Sequence, residues 1–255
     1  MSASRREVRR LVVPAVLTVL VVWALVSLGN WQVRRLAWKE SLIARVNDRL
    51  TQPPVDMSGH DLAAQSQSPS FIGENEYRPV TLRGRYEPSG EALVFTSLGE
   101  PKGRYGGPGY WVFTPLALSS GGNVYVNRGF VPEDHKRAYG PPPSGDVAVT
   151  GAIRANEPGN WFTPNPDLTH RVFYARNIPQ LASATAAPPT LGLFIDLAAS
   201  QAPPSGLPQP GETRTLFPND HLAYAVTWYG LALGLVAVFL SFAWTRLRPP
   251  AGEDA

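Results

Sequence analysis

Two stretches near opposite ends of this chain carry no charge at all. Between Leu11 and Leu28, and again between Leu222 and Trp244, there is no Asp, Glu, Lys or Arg. A helix needs about 20 such residues to cross a bilayer core. Two membrane spans are therefore expected, at residues 11–30 and 219–244, with everything between them on one side of the bilayer. The first run follows a basic stretch, as a secretory signal would. It exceeds the roughly 7–15 residues of a signal's apolar region, and no small-x-small cleavage site precedes LGNWQVRR, which favours an uncleaved anchor.

The flanking charges orient the pair. Arg5, Arg6, Arg9 and Arg10 precede the first span and Arg246 and Arg248 follow the second, which by the positive-inside tendency puts residues 1–10 and 245–255 in the cytoplasm. Arg34, Arg35 and Lys39 work against that asymmetry, but long domains translocate largely regardless of their charge. Ten residues ahead of a span are too few for a mitochondrial transit peptide. The expectation is thus a multi-pass protein of a bacterial inner membrane with its central domain in the periplasm. The chain has no cysteine, which excludes a disulfide frame, a thiolate metal site and covalent c-type haem attachment. Its net charge of +3 is small and scattered, and no nucleic-acid partner is expected.

After the first span, apolar residues at Leu36, Ile43, Val46 and Leu50 keep one helical stripe. Residues 31–50 read as an amphipathic stalk helix, ended by Pro53 and Pro54. Residues 51–76 read as a polar loop, or a short helix between loops. Period-two runs then predict strands at 78–86, 92–98, 110–118, 124–130 and 147–154, a helix at 178–184 and a strand at 193–197. The stretch QAPPSGLPQPGETR reads as a proline-rich connector back to the membrane. The fold class is therefore two transmembrane helices flanking a mainly antiparallel β (α+β) extracytoplasmic domain over residues 51–218.

Catalytic signatures are missing. The four histidines, at 60, 135, 170 and 221, lie in no nucleophile or metal frame, and an enzyme is not expected. GRYGGPG (103–109) has glycines but neither the Lys-Ser/Thr ending nor the following helix of a phosphate loop, so it reads as a flexible hairpin loop. VNRGF (126–130) ends a strand with Gly129 in a turn position, where Arg128 either braces the turn or meets a partner.

The second span carries two patterns. His221, Tyr224, Ala225 and Trp228 fall at i, i+3, i+4 and i+7, one helical face. An imidazole, a small residue and two aromatics are what a porphyrin requires: a nitrogen for iron, a gap for the ring and apolar walls. Interfacial aromatics and a histidine reaching the head groups would give the same pattern. On the other side, Ala223, Thr227, Gly230 and Gly234 form a small-residue face suited to packing on the first span.

Five blocks, LGNWQVRRLAWKESLIARV (28–46), EYRPVTLRGRY (76–86), VYVNRGFVP (124–132), LFIDL (193–197) and NDHLAYAVTWYGLAL (219–233), resemble in order the Surfeit-locus family of cytochrome oxidase assembly proteins. The resemblance implies an assembly factor for haem-copper cytochrome c oxidase. It would receive haem a at His221, with Tyr224 and Trp228 beside it, and help place it in the oxidase catalytic subunit. Haem a synthase or other assembly factors are the implied partners, and homo-oligomerisation is left open. The chain offers no obvious second axial ligand, and Arg171 or Arg214 could pair with the propionates. It departs from the family at Val172, Phe173 and Tyr174, where relatives carry a tryptophan; a packing change is expected. The alternative is a cofactor-free, membrane-tethered scaffold working through surfaces such as Trp31, Trp38 and Arg128.

Overall fold

A computed structural model describes residues 2–185, 190–213 and 219–247. Arg214 and everything after Leu247, including Arg248, lie outside the described residues. In chain order the elements are helix α1 (Ser2–Thr51), strand β1 (Val55–Asp56), helices α2 (Leu62–Gln65) and α3 (Pro69–Asn75), strands β2 (Pro79–Tyr86), β3 (Ala92–Leu98), β4 (Gly107–Leu118), β5 (Asn123–Pro132), β6 (Asp146–Ala155) and β7 (Val172–Phe173), helix α4 (Ile178–Thr185), strand β8 (Thr190–Leu197) and helix α5 (His221–Leu247). The apolar span and the amphipathic stalk are thus one continuous helix, stopped just before the proline pair. The chain divides into two compact units, Met1–Arg45 with Leu216–Ala255, and Val46–Thr215.

In the second unit β2 bonds to both β6 and β4, which closes a ring. Its order is β2, β6, β8, β5, β4 and back to β2. Numbered along the chain, the five ring strands run 1-2-3-5-4-1, the closure of an OB-type Greek-key barrel, which leaves few free edges. The expected antiparallel domain is present with one qualification. Ring closure runs through a parallel pair, β5 with β8, and β1 and β7 add short parallel pairings to β2 and β3. Period-two patterns fix which residues share a face but not the direction of the neighbouring strand, so the parallel pairs were not legible in them.

Alternation along the ring strands separates two apolar layers. Val80, Leu82, Leu116, Val126, Ile153 and Ile195 come from all five ring strands and pack together with Leu62 of α2 and Phe71 of α3. The residues between them in sequence, Tyr125 and Phe194 among them, face the opposite way. There they pack against β3 and against Ile178 and Leu181 of α4. This is why β4 and β5 are buried on both faces. Val172 and Phe173 pair with Leu93 and Val94, and Phe173 is completely buried.

The other unit is two helices. Both α1 and α5 contain a segment long and apolar enough to cross a membrane. Their exposed residues include Val19, Trp23, Leu233 and Val238, each about two-thirds exposed or more, so the apolar surface points outward. Positions shielded on α1, namely Leu11, Ala15, Thr18, Val22, Leu25, Gly29 and Gln32, recur at alternate steps of four and three, the spacing of a coiled-coil seam. On α5 the same rhythm links His221, Ala225, Trp228, Ala232 and Leu235.

Candidate functional site

That seam corrects one expectation. Gly230 and Gly234 are exposed, with nothing within 4 Å of the space a Cβ would occupy, and Thr227 bonds back to the Ala223 carbonyl of its own helix. The small-residue face therefore points away from α1. The physical reason lies in polar contacts that rotate α5 the other way. His221 Nδ1 lies 2.7 Å from Gln32 Oε1, and the Tyr229 hydroxyl donates to Asn30 Oδ1 at 2.7 Å. Close approach is provided on α1 instead: a Cβ on Gly29 would sit 2.7 Å from the Tyr229 ring.

His221 is the first residue of α5, and the Asp220 carbonyl takes the first helical bond from Tyr224 N–H. A carboxamide oxygen can only accept, so with Gln32 Oε1 as its partner Nδ1 carries the proton. Nε2 then keeps its lone pair, and it has no partner among the described residues. Gln32 is buried, at 9% exposed, and His221 is partly buried. Ala225 and Trp228 continue the His221 face along the seam, Ala225 buried and Trp228 half-buried. Tyr224 sits to the side of that line because three residues turn a helix through about 300°, and it is exposed. The arrangement can offer one imidazole nitrogen at one end of an apolar helix pair, with an aromatic ring on its flank. Gln32 escaped the sequence reading because it lies in the stalk segment 31–50 outside its apolar stripe, as one polar residue among others. The heptad spacing that links it to Gly29 was the available signal.

Of the remaining candidates, Arg171 and Arg128 lie in the barrel unit, and Trp31 and Trp38 on α1. Arg171, with a positive φ of 52°, donates to the Ser89 carbonyl at 2.7 Å. Arg128 is not a surface residue, as the scaffold alternative required. It is 5% exposed, pairs with Glu91 at 3.0 Å and donates to the Gly140 carbonyl. Glu91 also accepts from Thr114 and Tyr139. Burial, and then the Glu91 charge, push the Tyr139 hydroxyl well above the usual tyrosine range, and burial pushes Tyr86 up to about 12. Trp31 and Trp38 are exposed, with the Arg35 guanidinium 4.0 Å from the Trp38 ring centre. His135 and His170 each pair with a neighbouring aspartate, Asp134 and Asp167, on the surface.

Two loop expectations are also revised. Of the glycine-rich stretch 103–109, Gly107 to Gly109 belong to β4; the part before them does join β3 to β4, but it is pinned. Glu212 accepts from the Lys102 and Gly103 amides and Gln209 from the Tyr105 amide, at 2.7–2.8 Å. Those acceptors come from the presumed connector, which pairs with β5 at Phe130 and Gln209. Gly129 accordingly lies within β5, not in a turn. Its φ is +129°, and a Cβ there would strike the Gln209 carbonyl. Proline content suggested only a connector back to the membrane; Gln209 and Glu212 are in fact buried against the barrel.

Comparison with known proteins places this geometry. The SURF1 family model matches residues 19–233, from within the first apolar segment to within the second. Surfeit locus protein 1 of Xenopus tropicalis is 34% identical over 84% of this chain and 71% of its own length. The human protein of that name is 34% identical over 81% and 69%, and a SURF1-like protein of Monosiga brevicollis 32% over 91% and 88%. The match takes in Gln32, the barrel and His221 alike, and the chain belongs to the SURF1 family.

Proposed function

We propose that this chain is a membrane-tethered assembly factor for haem-copper cytochrome c oxidase that carries haem a on His221 toward the oxidase catalytic subunit. The observation that carries the reading is the imidazole at the start of α5. Its Nδ1 is engaged by Gln32 while Nε2 is left as a lone-pair donor, which is the form of histidine that ligates iron. The donor set fits such a cargo. One neutral imidazole supplies one ligand, and the outward apolar surface of α1 and α5 suits an isoprenoid tail better than water would. A carrier must also release what it holds, and a single histidine binds less tightly than a fixed pair. Both helices anchor the protein in the membrane in this reading, a bacterial inner membrane with the barrel on the periplasmic side. Haem a synthase and other assembly factors are the partners from which haem a would arrive.

The test is the reduced absorption spectrum of the full-length protein, purified in detergent from cells that make haem a, beside that of His221→Ala. A haem a band in the parent and its loss from a folded mutant is the expected outcome. Equal bands in both remove His221 as ligand. A colourless parent directs attention to a cofactor-free scaffold, for which the exposed Trp31 and Trp38 on α1 are the surfaces to replace.

A further inference from the structure

The Gln32–His221 and Asn30–Tyr229 hydrogen bonds between α1 and α5 differ in kind. Asn30 and Tyr229 meet on the exposed side of the seam, and the bond occupies the one polar atom that tyrosine has. Gln32 and His221 meet inside it, and the bond leaves a second ring nitrogen unengaged. A buried carboxamide in an apolar seam is costly unless it is bonded. For fastening two helices the outer pair would be the cheaper device.

We propose that Gln32 is the positioning residue of His221. Its carbonyl oxygen fixes the Nδ1–H tautomer and the plane of the ring, so that Nε2 is presented to the iron of the haem cargo. This rests on the haem reading of His221 given above. A ligating histidine characteristically donates its other N–H to a carboxylate or a carbonyl, which sets the tautomer and raises ligand basicity. The choice of acceptor then tunes grip. A carboxylate pulls the proton harder and strengthens the metal bond, whereas a neutral carboxamide orients the ring with less push, as suits cargo that has to leave. Gln32 thus sets both the presence and the moderation of binding at this site.

The experiment uses full-length protein in detergent. In the haem-free state, with histidine labelled by ¹⁵N and the His221 signals identified by their absence from His221→Ala, the parent and Gln32→Glu should show the Nδ1–H tautomer. Gln32→Leu should show a mixture. Titration with haem a should then give a Kd at least about tenfold weaker for Gln32→Leu. For Gln32→Glu it should be no weaker than the parent, with a lower midpoint potential. Asn30→Ala, which cuts the neighbouring bond, should change Kd by less than about twofold. The proposal is overturned if Gln32→Leu keeps the parental tautomer or Kd, or if Asn30→Ala weakens binding as much, since both bonds would then be simple fasteners. If His221→Ala binds haem a as the parent does, the haem reading falls and this inference with it. If His221→Ala loses haem a and Gln32→Leu does not, only the role of Gln32 falls.

Discussion

The barrel and the helix pair handle polar groups in opposite ways. In the barrel unit apolar residues point inward, and the charges that lie beneath its surface have their partners around them. Arg154 contacts Asp196 at 3.1 Å and Glu157 at 2.7 Å, Asp196 also accepts from Asn127, and the Tyr77 ring lies 4.4 Å from the Arg154 guanidinium. In the helix pair the apolar residues point outward, every apolar core cluster belongs to the other unit, and a histidine and a glutamine occupy the seam. Buried barrel charges are held by opposite charges or, at Glu212, by backbone amides and Gln209; the seam histidine keeps one nitrogen in reserve. A buried guanidinium ringed by carboxylates describes architecture even where one of its nitrogens, Arg154 Nε, makes no hydrogen bond; an imidazole nitrogen that keeps its lone pair points to a ligand.

The contrast breaks most visibly at Asp196. Replacement by Ala removes the main partner of a guanidinium that is 4% exposed and leaves the Asn127 amide without its acceptor. Breaking a buried pair from one side costs about 3–5 kcal/mol. Thermal unfolding of the full-length protein in detergent, followed by near-ultraviolet circular dichroism, should show that loss. If Asp196→Ala melts with the parent, the barrel network is not structural, and the division drawn between the two regions fails.

How far this was legible in the sequence follows the same division. Strands β2 to β6 and helix α4 announced themselves within a few residues of their ends through local pattern bounded by Gly, Pro, Asn and Ser, whether one face is the more buried, as in β2, or both are, as in β4 and β5. Ring closure through β5 and β8 left no local trace, since it depends on pairing between strands more than 60 residues apart. The packing of Gln209 and Glu212 was masked by the prolines around them, which suggest a linker whether or not it docks. At the candidate site, His221 stood out because an imidazole at the edge of an uncharged run is conspicuous. Gln32 did not, because a glutamine beside Asn30 and Arg34 looks like ordinary helix surface until the partner helix is in place.

The seam itself can be sharpened by setting two glycines against each other. A side chain at Gly29 meets the Tyr229 ring, while one at Gly230 meets nothing. Overpacking costs about 1–3 kcal/mol, and every 1.4 kcal/mol is about tenfold in the open population. The chain has no native cysteine, so a single Ala225→Cys on the buried face can report opening through its rate of alkylation in detergent. Gly29→Leu should accelerate that rate roughly tenfold, and Gly230→Leu should leave it unchanged. The reverse result would restore the small-residue face of α5 as the packing surface and move His221 out of the seam.

The smallest effect probes the partnered character of the barrel from the side of pH. Tyr86 is buried beside Arg128 in a cavity of about 520 Å³ lined largely by prolines and aliphatic residues, and its hydroxyl is held neutral up to about 12. In the unfolded chain the same group ionises near 10. Between those values the unfolded state has released the proton and the folded state has not, so unfolding is favoured as pH rises. The stabilisation is complete below pH 10 and falls away through pH 12, by about 1 kcal/mol for this group at pH 11. Tyr86→Phe should match the parent at pH 8 and lose less stability than the parent between pH 10 and 11.5, as read from urea midpoints. Parallel slopes for the two proteins would mean that water reaches the hydroxyl, and that burial does not hold it neutral.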